Sequence, residues 1–230
     1  VAVLAVDPSS RRSGGSLLGD RARIDYDPED RGLFIRSTAA GERLGGLAPA
    51  TRAAAQALAA AFDVVVIETV GVGQSETEIA EVADTVAVIV QPGSGDALQF
   101  IKAGIMEIPD VLVVTKADLG EIALRARRDL SAALRAAGSR DTKVVAVSSI
   151  PPVQGIDELI RAFDEHRARI DVKARRTAAR RAGALSEFIV EHGERGLRAL
   201  GGRRAATRLL EQMDPDADEP TLLRALEEKL

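Results

Sequence analysis

Five short, uninterrupted apolar runs rich in β-branched residues constrain the fold of this 230-residue chain more than any other feature. They lack the alternation of a half-exposed strand, so they predict strands buried on both faces, as in a parallel sheet. The runs cover residues 1–6, 64–67, 86–90, 111–114 and 144–147, and helix-forming stretches lie at 51–62, 75–84, 97–108 and 121–137. This order predicts an α/β fold with a doubly wound, mostly parallel sheet that binds ligands at the carboxyl ends of its strands.

Composition excludes several other classes of protein. The chain has no cysteine, so it can form neither a disulfide framework nor a thiolate metal site, and we expect a cytoplasmic protein. Its apolar runs are far shorter than the roughly 20 residues that cross a bilayer, so we expect no membrane span. A net charge of −4, one Tyr and five Phe offer little to nucleic acid, which we do not expect as a partner.

The loop after the second apolar run has the residues of a phosphate and metal site. Glu68 directly follows the run and can hold Mg²⁺ directly or through water. Three positions on, Gly71 can bring a bare N–H against a terminal phosphate. Gln74 can orient an attacking water, or it can cap a helix that begins at Ser75. The alternative for the whole segment is a glycine-rich turn that leads into that helix.

The loops after the fourth and fifth runs indicate which base is recognised. Residues 115–118 read Thr-Lys-Ala-Asp, and residues 148–150 read Ser-Ser-Ile. The Asp118 carboxylate can accept two hydrogen bonds from the N1–H and exocyclic amine of guanine, which adenine cannot supply. Lys116 can lie along the base, and N–H groups near Ser149 can meet the guanine O6. Taken alone, the tetrapeptide is more typical of a helix N-terminus, but its place one strand before a Ser-Ser turn favours guanine.

Together these segments resemble the MeaB/ArgK family of P-loop GTPases over residues 1–171. The resemblance rests on segments 7–10, 14–20, 68–76, 95–104 and 115–118, in that order. Members of this family are chaperones of adenosylcobalamin-dependent methylmalonyl-CoA mutase and related acyl-CoA mutases, and some have been labelled amino-acid transport-system kinases. The resemblance implies a P-loop NTPase G domain, GTP or GDP and Mg²⁺ as ligands, a mutase partner and a homodimer.

The resemblance also implies a role for individual residues. The residues implied in catalysis are Glu68, Gly71, Gln74, Asp96 and Lys102, the last two in a loop that acts as a third switch facing the mutase. Those implied in nucleotide binding are Thr115, Lys116, Asp118, Ser148, Ser149 and Ile150. Those implied at the metal and switch I region are Asp7, Asp20 and Glu68.

The sequence departs from the family pattern in two ways. Thr115 stands where the guanine motif has Asn, which removes an amide that ties neighbouring loops together but keeps Asp118. More seriously, no G-x-x-x-x-G-K-[ST] phosphate-binding loop occurs in the chain. In this fold that loop follows the first strand, so we expect it upstream of Val1, in an amino-terminal part that has been truncated. We expect this chain alone to bind GTP weakly and not to hydrolyse it.

The carboxyl-terminal part predicts a helical tail. We place the GTPase domain at residues 1–170, ending in a helix at 156–167, and a helical extension at 171–230. Its helices are predicted at 174–200, 203–213 and 221–230, with a weak point at Gly193 and Gly196 and a turn at 214–220. Leu222, Leu223, Leu226 and Leu230 form an apolar stripe. The stripe either packs onto its own domain or serves as the family's dimerisation arm.

Other polar features favour less specific interpretations. The basic cluster Lys173, Arg175, Arg176, Arg180 and Arg181 predicts a solvated helix face, with an acidic partner as the alternative. His166 and His192 lie far apart without a ligand pattern, so we expect surface positions and no metal ligation.

These observations predict a GTP-binding and GTP-hydrolysing chaperone that assists or protects an adenosylcobalamin-dependent acyl-CoA mutase. Two alternatives remain. One is a docking module whose binding surface is shaped by a bound nucleotide that is not hydrolysed. The other is an amino-acid transport kinase or ATPase. Asp118 argues against the second, because it cannot select adenine.

Overall fold

The computed structural model describes residues 1–7, 24, 26–39, 49–69, 79–93, 109–139 and 141–230. The strands are β1 (Ala2–Asp7), β2 (Phe34–Ala39), β3 (Val65–Thr69), β4 (Ala87–Val90), β5 (Val111–Val114) and β6 (Lys143–Ala146). The helices are α1 (Pro49–Ala59), α2 (Glu121–Ala136), α3 (Ile156–Arg169), α4 (Val172–Ala199), α5 (Arg203–Glu211) and α6 (Glu219–Glu227), with a short 3-10 helix at Ala117–Leu119.

The described strands form two parallel sheets of three strands each, in the orders β2-β1-β3 and β4-β5-β6. Every pairing within them is parallel, which confirms the predicted α/β class. The chain divides into two compact units, Val1–Ala83 and Asp84–Leu230. The predicted boundary at residues 170/171 coincides with the start of α4, whose N-cap is Asp171; as a domain boundary it stays a prediction.

In the first unit, β1 lies at the centre of the sheet, and its Leu4 is fully buried. β2 is a strand that the apolar pattern missed, because polar residues interrupt its short run. The buried Thr51 hydroxyl of α1 lies 3.2 Å from that of Thr38 in β2. Arg52 of the same helix forms an ion pair of 3.1 Å with Glu81. The Thr51 contact fixes the helix against the sheet, and the Arg52 contact fixes it to the segment that holds Glu81.

In the second unit, β5 is the central strand and is buried on both faces. Its even-numbered residues, Leu112 and Val114, pack with α2 through Leu130. Its odd-numbered residues, Val111 and Val113, pack with Val145 and Ala162 on the α3 side. The uninterrupted apolar run is therefore explained, since each successive side chain enters a different core.

The prediction of burial on both faces is wrong for two other strands. Val66 of β3 is 46% exposed and Ile89 of β4 is 57% exposed. Both strands lie at the edge of their sheet, where fewer neighbours cover each side chain. The apolar run identified each strand correctly, but the degree of burial depends on the position in the sheet.

The tail forms its own core between α4, α5 and α6. Phe188 is fully buried in it, and Leu222 and Leu226 of the apolar stripe are 1% and 0% exposed. This packing agrees with the interpretation that the stripe packs onto its own domain. The predicted weak point in the long helix is confirmed at Gly193, whose φ of 62° and ψ of −167° break α4. Asp218 is the N-cap of helix α6, and its carboxylate accepts a hydrogen bond from the Thr221 N–H.

The basic cluster forms the predicted solvated face only in part, since Lys173 and Arg176 are exposed whereas Arg175, Arg180 and Arg181 are half-buried. Arg175 donates to Asp110 at 2.8 Å, and Arg176 makes a two-pronged contact with Asp84. The remaining members contact the turn before α6 or the end of α5: Lys173 pairs with Asp216, Arg180 donates to the carbonyls of Pro215 and Ala217, and Arg181 donates to those of Glu211 and Met213. The cluster thus joins α4 to the sheet and to the rest of the tail, because each cation finds its acceptor in the same chain.

The surface position predicted for His166 is also wrong, since this residue is only 6% exposed. Its Nδ1 lies 2.9 Å from the Thr85 hydroxyl, and its Nε2 lies 3.0 Å from a carboxylate oxygen of Asp110. Asp110 also accepts the Val86 N–H and the Arg175 guanidinium. Burial lowers the pKa of His166, with Asp110 opposing that shift and the nearby arginines adding to it.

Within the described part of the chain, no helix has the length and hydropathy that a membrane crossing requires.

Candidate functional site

The loop after β5 is fixed between the ends of its two neighbouring strands. The Thr115 N–H donates to the Val90 carbonyl at 2.9 Å, and the Thr115 hydroxyl lies 3.3 Å from the same oxygen. On the other side, the Ala117 N–H donates to the Val147 carbonyl at 2.9 Å. Thr115 is thereby tied to the end of β4. Thr115 stands where the family has Asn, and its hydroxyl contacts the carbonyl at the end of β4.

Lys116 turns this loop sharply. It has a left-handed backbone, with φ of 55° and ψ of 46°, in which residues other than glycine are uncommon. Such a conformation costs on the order of 1 kcal/mol and persists when surrounding contacts impose it. The bonds of Thr115 and Ala117 on either side supply those contacts. The exposed Lys116 side chain is thus held at a defined point above the strand end.

Asp118 does not act as a helix cap. It lies inside the 3-10 helix Ala117–Leu119, and the N-cap residue of α2 is Gly120, which makes no side-chain capping bond. Instead, Asp118 Oδ1 accepts a hydrogen bond of 2.6 Å from the Ser148 hydroxyl. The geometry therefore favours the interpretation of residues 115–118 as a binding loop over the helix-start alternative.

Ser148 connects the two loops that sequence reasoning singled out. It is 2% exposed, and its oxygen also accepts the Ile150 N–H at 3.2 Å. The hydroxyl therefore donates to one loop and accepts from the other. An ionised carboxylate has about four acceptor positions on two oxygens, so Asp118 retains the capacity for a two-donor ligand while Ser148 fixes its orientation.

The loop from Ser148 to Gln154 is closed on itself. The two residues exchange backbone hydrogen bonds of 3.0 and 3.1 Å. Gly155 follows with φ of 73°, and a Cβ there would lie 2.0 Å from the Ala146 carbonyl oxygen. Any Cβ would clash with this carbonyl oxygen, so only glycine fits at position 155. Sequence reasoning missed Gln154 and Gly155, although a glycine directly before a predicted helix is a recognisable turn signal.

Two acidic residues end adjacent strands of the first unit. Glu68 and Thr69 close β3, and Asp7 closes β1, which pairs with β3 in parallel. Glu68 is exposed. The two residues thus belong to the same carboxyl-terminal edge of one sheet, where α/β folds bind ligands.

The remaining predicted site residues lie outside the described part of the chain. These are Asp20, Gly71, Gln74, Asp96 and Lys102. The structure thus brings Asp118, Ser148 and Ile150 together and places Lys116 and Ser149 in the same pair of loops. It leaves the catalytic assignments as predictions.

Parallel α/β units with polar loops at the carboxyl ends of their strands define a doubly wound, ligand-binding class of fold. Comparison with known proteins identifies the family. The chain matches the family described as "Methylmalonyl Co-A mutase-associated GTPase MeaB" over residues 1–196. It belongs to that family, as its motifs predicted.

Relatives from bacteria, archaea and eukaryotes are similar to this chain. A candidate GTPase of Caulobacter vibrioides is 46% identical over 187 residues, covering 79% of this chain and 57% of the relative. A candidate GTPase of Pyrococcus abyssi is 44% identical over 189 residues, with the same two coverages. The mouse "Methylmalonic aciduria type A homolog, mitochondrial" is 44% identical over 132 residues, 56% of this chain and 31% of that protein. The chain thus spans little more than half the length of the bacterial and archaeal relatives.

A solved structure supports the fold. HypB from Helicobacter pylori, crystallised in complex with nickel, aligns with a TM-score of 0.50 and 17% sequence identity, over 73% of this chain and 74% of HypB. At this identity the likeness concerns the fold alone.

Proposed function

We propose that this chain is the base-recognising part of a GTPase that serves an adenosylcobalamin-dependent acyl-CoA mutase of the methylmalonyl-CoA mutase type. The observation that carries the nucleotide proposal is the bond of 2.6 Å between Ser148 and Asp118. It presents a carboxylate at the end of a buried central strand, in a family described as mutase-associated GTPases. The partner and the activity rest on that description and on the motifs.

Guanine selection follows from hydrogen-bond chemistry. The Asp118 carboxylate accepts from the guanine N1–H and exocyclic amine, while Ser148 prevents it from rotating away. Lys116 supplies its alkyl stem to the face of the base. N–H groups of the closed loop around Ser149 and Ile150 supply donors for the guanine O6. Adenine offers no matching pair of donors, which argues against an ATP-dependent transport kinase.

The acidic residues of the first unit suit Mg²⁺. Asp7 and Glu68 offer the hard carboxylate oxygens that this cation prefers, at the edge where ligands of α/β sheets bind. Asp20 would join them from the switch I region. When bound, the ion would neutralise charge on the nucleotide phosphates. Gly71 and Gln74 would contact the terminal phosphate and the attacking water, and the segment with Asp96 and Lys102 would respond to the mutase.

The chain by itself lacks a Gly-Lys-[Ser/Thr] phosphate-binding loop. We therefore propose that it binds GTP weakly and does not turn it over, whereas the full-length gene product hydrolyses GTP slowly. If the full-length gene product binds GTP but does not hydrolyse it, the result would favour the alternative, a docking module whose surface is shaped by the bound nucleotide.

The base assignment is tested by Asp118→Asn in the full-length gene product. The variant should lose GTP affinity by several kcal/mol, because a donor then faces a donor, and should gain affinity for XTP, whose base has a carbonyl at that position. Isothermal titration calorimetry with GTP and XTP measures both. Asp129→Asn, which changes an exposed carboxylate on α2, is the control and should keep the GTP preference. Unchanged GTP affinity in Asp118→Asn would show that the loop does not read the base.

A further inference from the structure

The helical tail carries a group of side chains of metal-ligating types, far along the chain from the nucleotide loops. Glu191 and His192 end the first part of α4, and Glu227 ends α6. One ligand atom from each of the three residues lies within 4.8 Å of the others. Two carboxylates and one imidazole therefore converge at a place where two packed helices meet.

The position of His192 is set by its surroundings. Gly193 interrupts α4 directly after it. The His192 ring lies against the Phe188 ring, with centroids 4.7 Å apart. On the other side, a Cβ on Gly196 would lie 2.4 Å from the His192 Cβ, so the helix must continue there with a glycine. Because Phe188 belongs to the tail core that also holds α6, the imidazole and Glu227 are carried by the same packed unit.

The spacing between the donors suits a bound cation better than a direct bond. His192 Nε2 lies 3.5 Å from Glu227 Oε1, which is longer than the 2.7–3.2 Å of an ordinary hydrogen bond to nitrogen. Zinc binds nitrogen and oxygen at about 2.0–2.2 Å, so two ligands at a tetrahedral angle lie about 3.4 Å apart. The His192 and Glu227 atoms already have that separation, with Glu191 within reach as a third donor.

We propose that Glu191, His192 and Glu227 form a divalent transition-metal site, with Zn²⁺ as the expected ion and water completing its coordination. An imidazole nitrogen selects zinc-like ions over Mg²⁺ and Ca²⁺, which prefer oxygen donors alone. The bound ion links the break in α4 to the end of α6. No sequence pattern indicated this site, because 35 residues separate His192 from Glu227.

The composition of the chain makes the site simple to test. It has two histidines and no cysteine. The other histidine, His166, is buried, and both its nitrogens lie within hydrogen-bonding distance of Thr85 or Asp110. Imidazole-dependent metal binding by an untagged chain therefore reports on His192.

The experiment titrates ZnCl₂ into the untagged, chelator-treated 230-residue chain at pH 7.5 by isothermal titration calorimetry. We expect one Zn²⁺ per chain, and at least tenfold weaker binding in both His192→Gln and Glu227→Gln. Glu228→Gln changes the exposed neighbour of Glu227 and should bind as the wild type does. Far-UV circular dichroism shows that each variant keeps its helices.

A second measurement uses Co²⁺ as a coloured substitute. Visible absorption typical of a nitrogen and oxygen environment should appear in the wild type and in Glu228→Gln and be lost in His192→Gln. If the wild type shows no saturable binding, or if His192→Gln binds Zn²⁺ as tightly as the wild type, the proposal is wrong and the cluster is an ion pair between two helices. Because none of its residues belongs to the nucleotide loops, either result leaves the proposed GTPase function untouched.

Discussion

Different interactions stabilise two regions of the molecule, the loops after β5 and β6 and the helical tail. Backbone hydrogen bonds and the side-chain hydrogen bonds of Thr115 and Ser148 position the loops, whose residues are largely exposed. The tail is held by apolar packing around Phe188, which is fully buried. A binding loop must keep polar groups accessible and so relies on directional bonds, whereas a supporting unit gains most of its stability from buried apolar area.

This difference predicts the largest effect on stability in the tail. Phe188→Ala should lower the free energy of unfolding by about 3–5 kcal/mol, because it leaves a cavity in a core that cannot fully collapse. Urea unfolding followed by far-UV circular dichroism measures the loss. Val190→Ala, at a position that is 62% exposed on the same helix, should change stability by less than about 0.5 kcal/mol. Equal effects of the two substitutions would contradict the packing described for α4.

The loops should behave in the opposite way, with a small effect on stability and a larger one on binding. Ser148→Ala should lower the free energy of unfolding by only about 1 kcal/mol, since water can replace the lost donor at the exposed Asp118. In the full-length gene product it should weaken guanine nucleotide binding, because the carboxylate is free to rotate. Val153→Ala, at an exposed position of the same loop, is the control for both measurements. A loss of stability as large as that of Phe188→Ala would remove the distinction between the two regions.

The buried contact of His166 with Asp110, just before β5, should also respond to pH. The pKa of His166 is lowered in the folded protein, so the unfolded chain takes up the proton at a higher pH than the folded chain does. Stability should therefore fall as the pH decreases from about 6.5 towards the folded pKa. We expect the smallest of the three effects here, measured as the slope of unfolding free energy between pH 7.5 and 5.5.

His166→Gln tests the origin of that slope. Glutamine can keep polar contacts with Thr85 and Asp110 but does not titrate in this range. The variant should show a shallower dependence on pH than the wild type, and both proteins share every other titrating group. An identical slope in the two proteins would assign the acid sensitivity elsewhere.

Much of the α/β part could be predicted because local signals and topology agree. The run 111–114 is apolar at every position since β5 lies at the centre of its sheet with a core on each side. Residues 115–118 and 148–150 then had to meet, because parallel neighbouring strands end at the same edge. The break at Gly193 was also readable, since glycine tolerates a backbone that other residues avoid. The catalytic residues implied by the family resemblance stay predictions.

The sequence by itself determined the α/β class, the family and the two loops that we propose recognise the base, because these depend on short-range patterns and fixed spacing. Only the tertiary structure decided where individual polar groups lie. Arg175 finds Asp110 across 65 residues, and His166 is buried against the same carboxylate. It likewise made β3 and β4 half-exposed edge strands and brought His192 to Glu227. A basic or imidazole side chain has the same local sequence whether its partner is water or a distant carboxylate, so only the folded chain distinguishes the two.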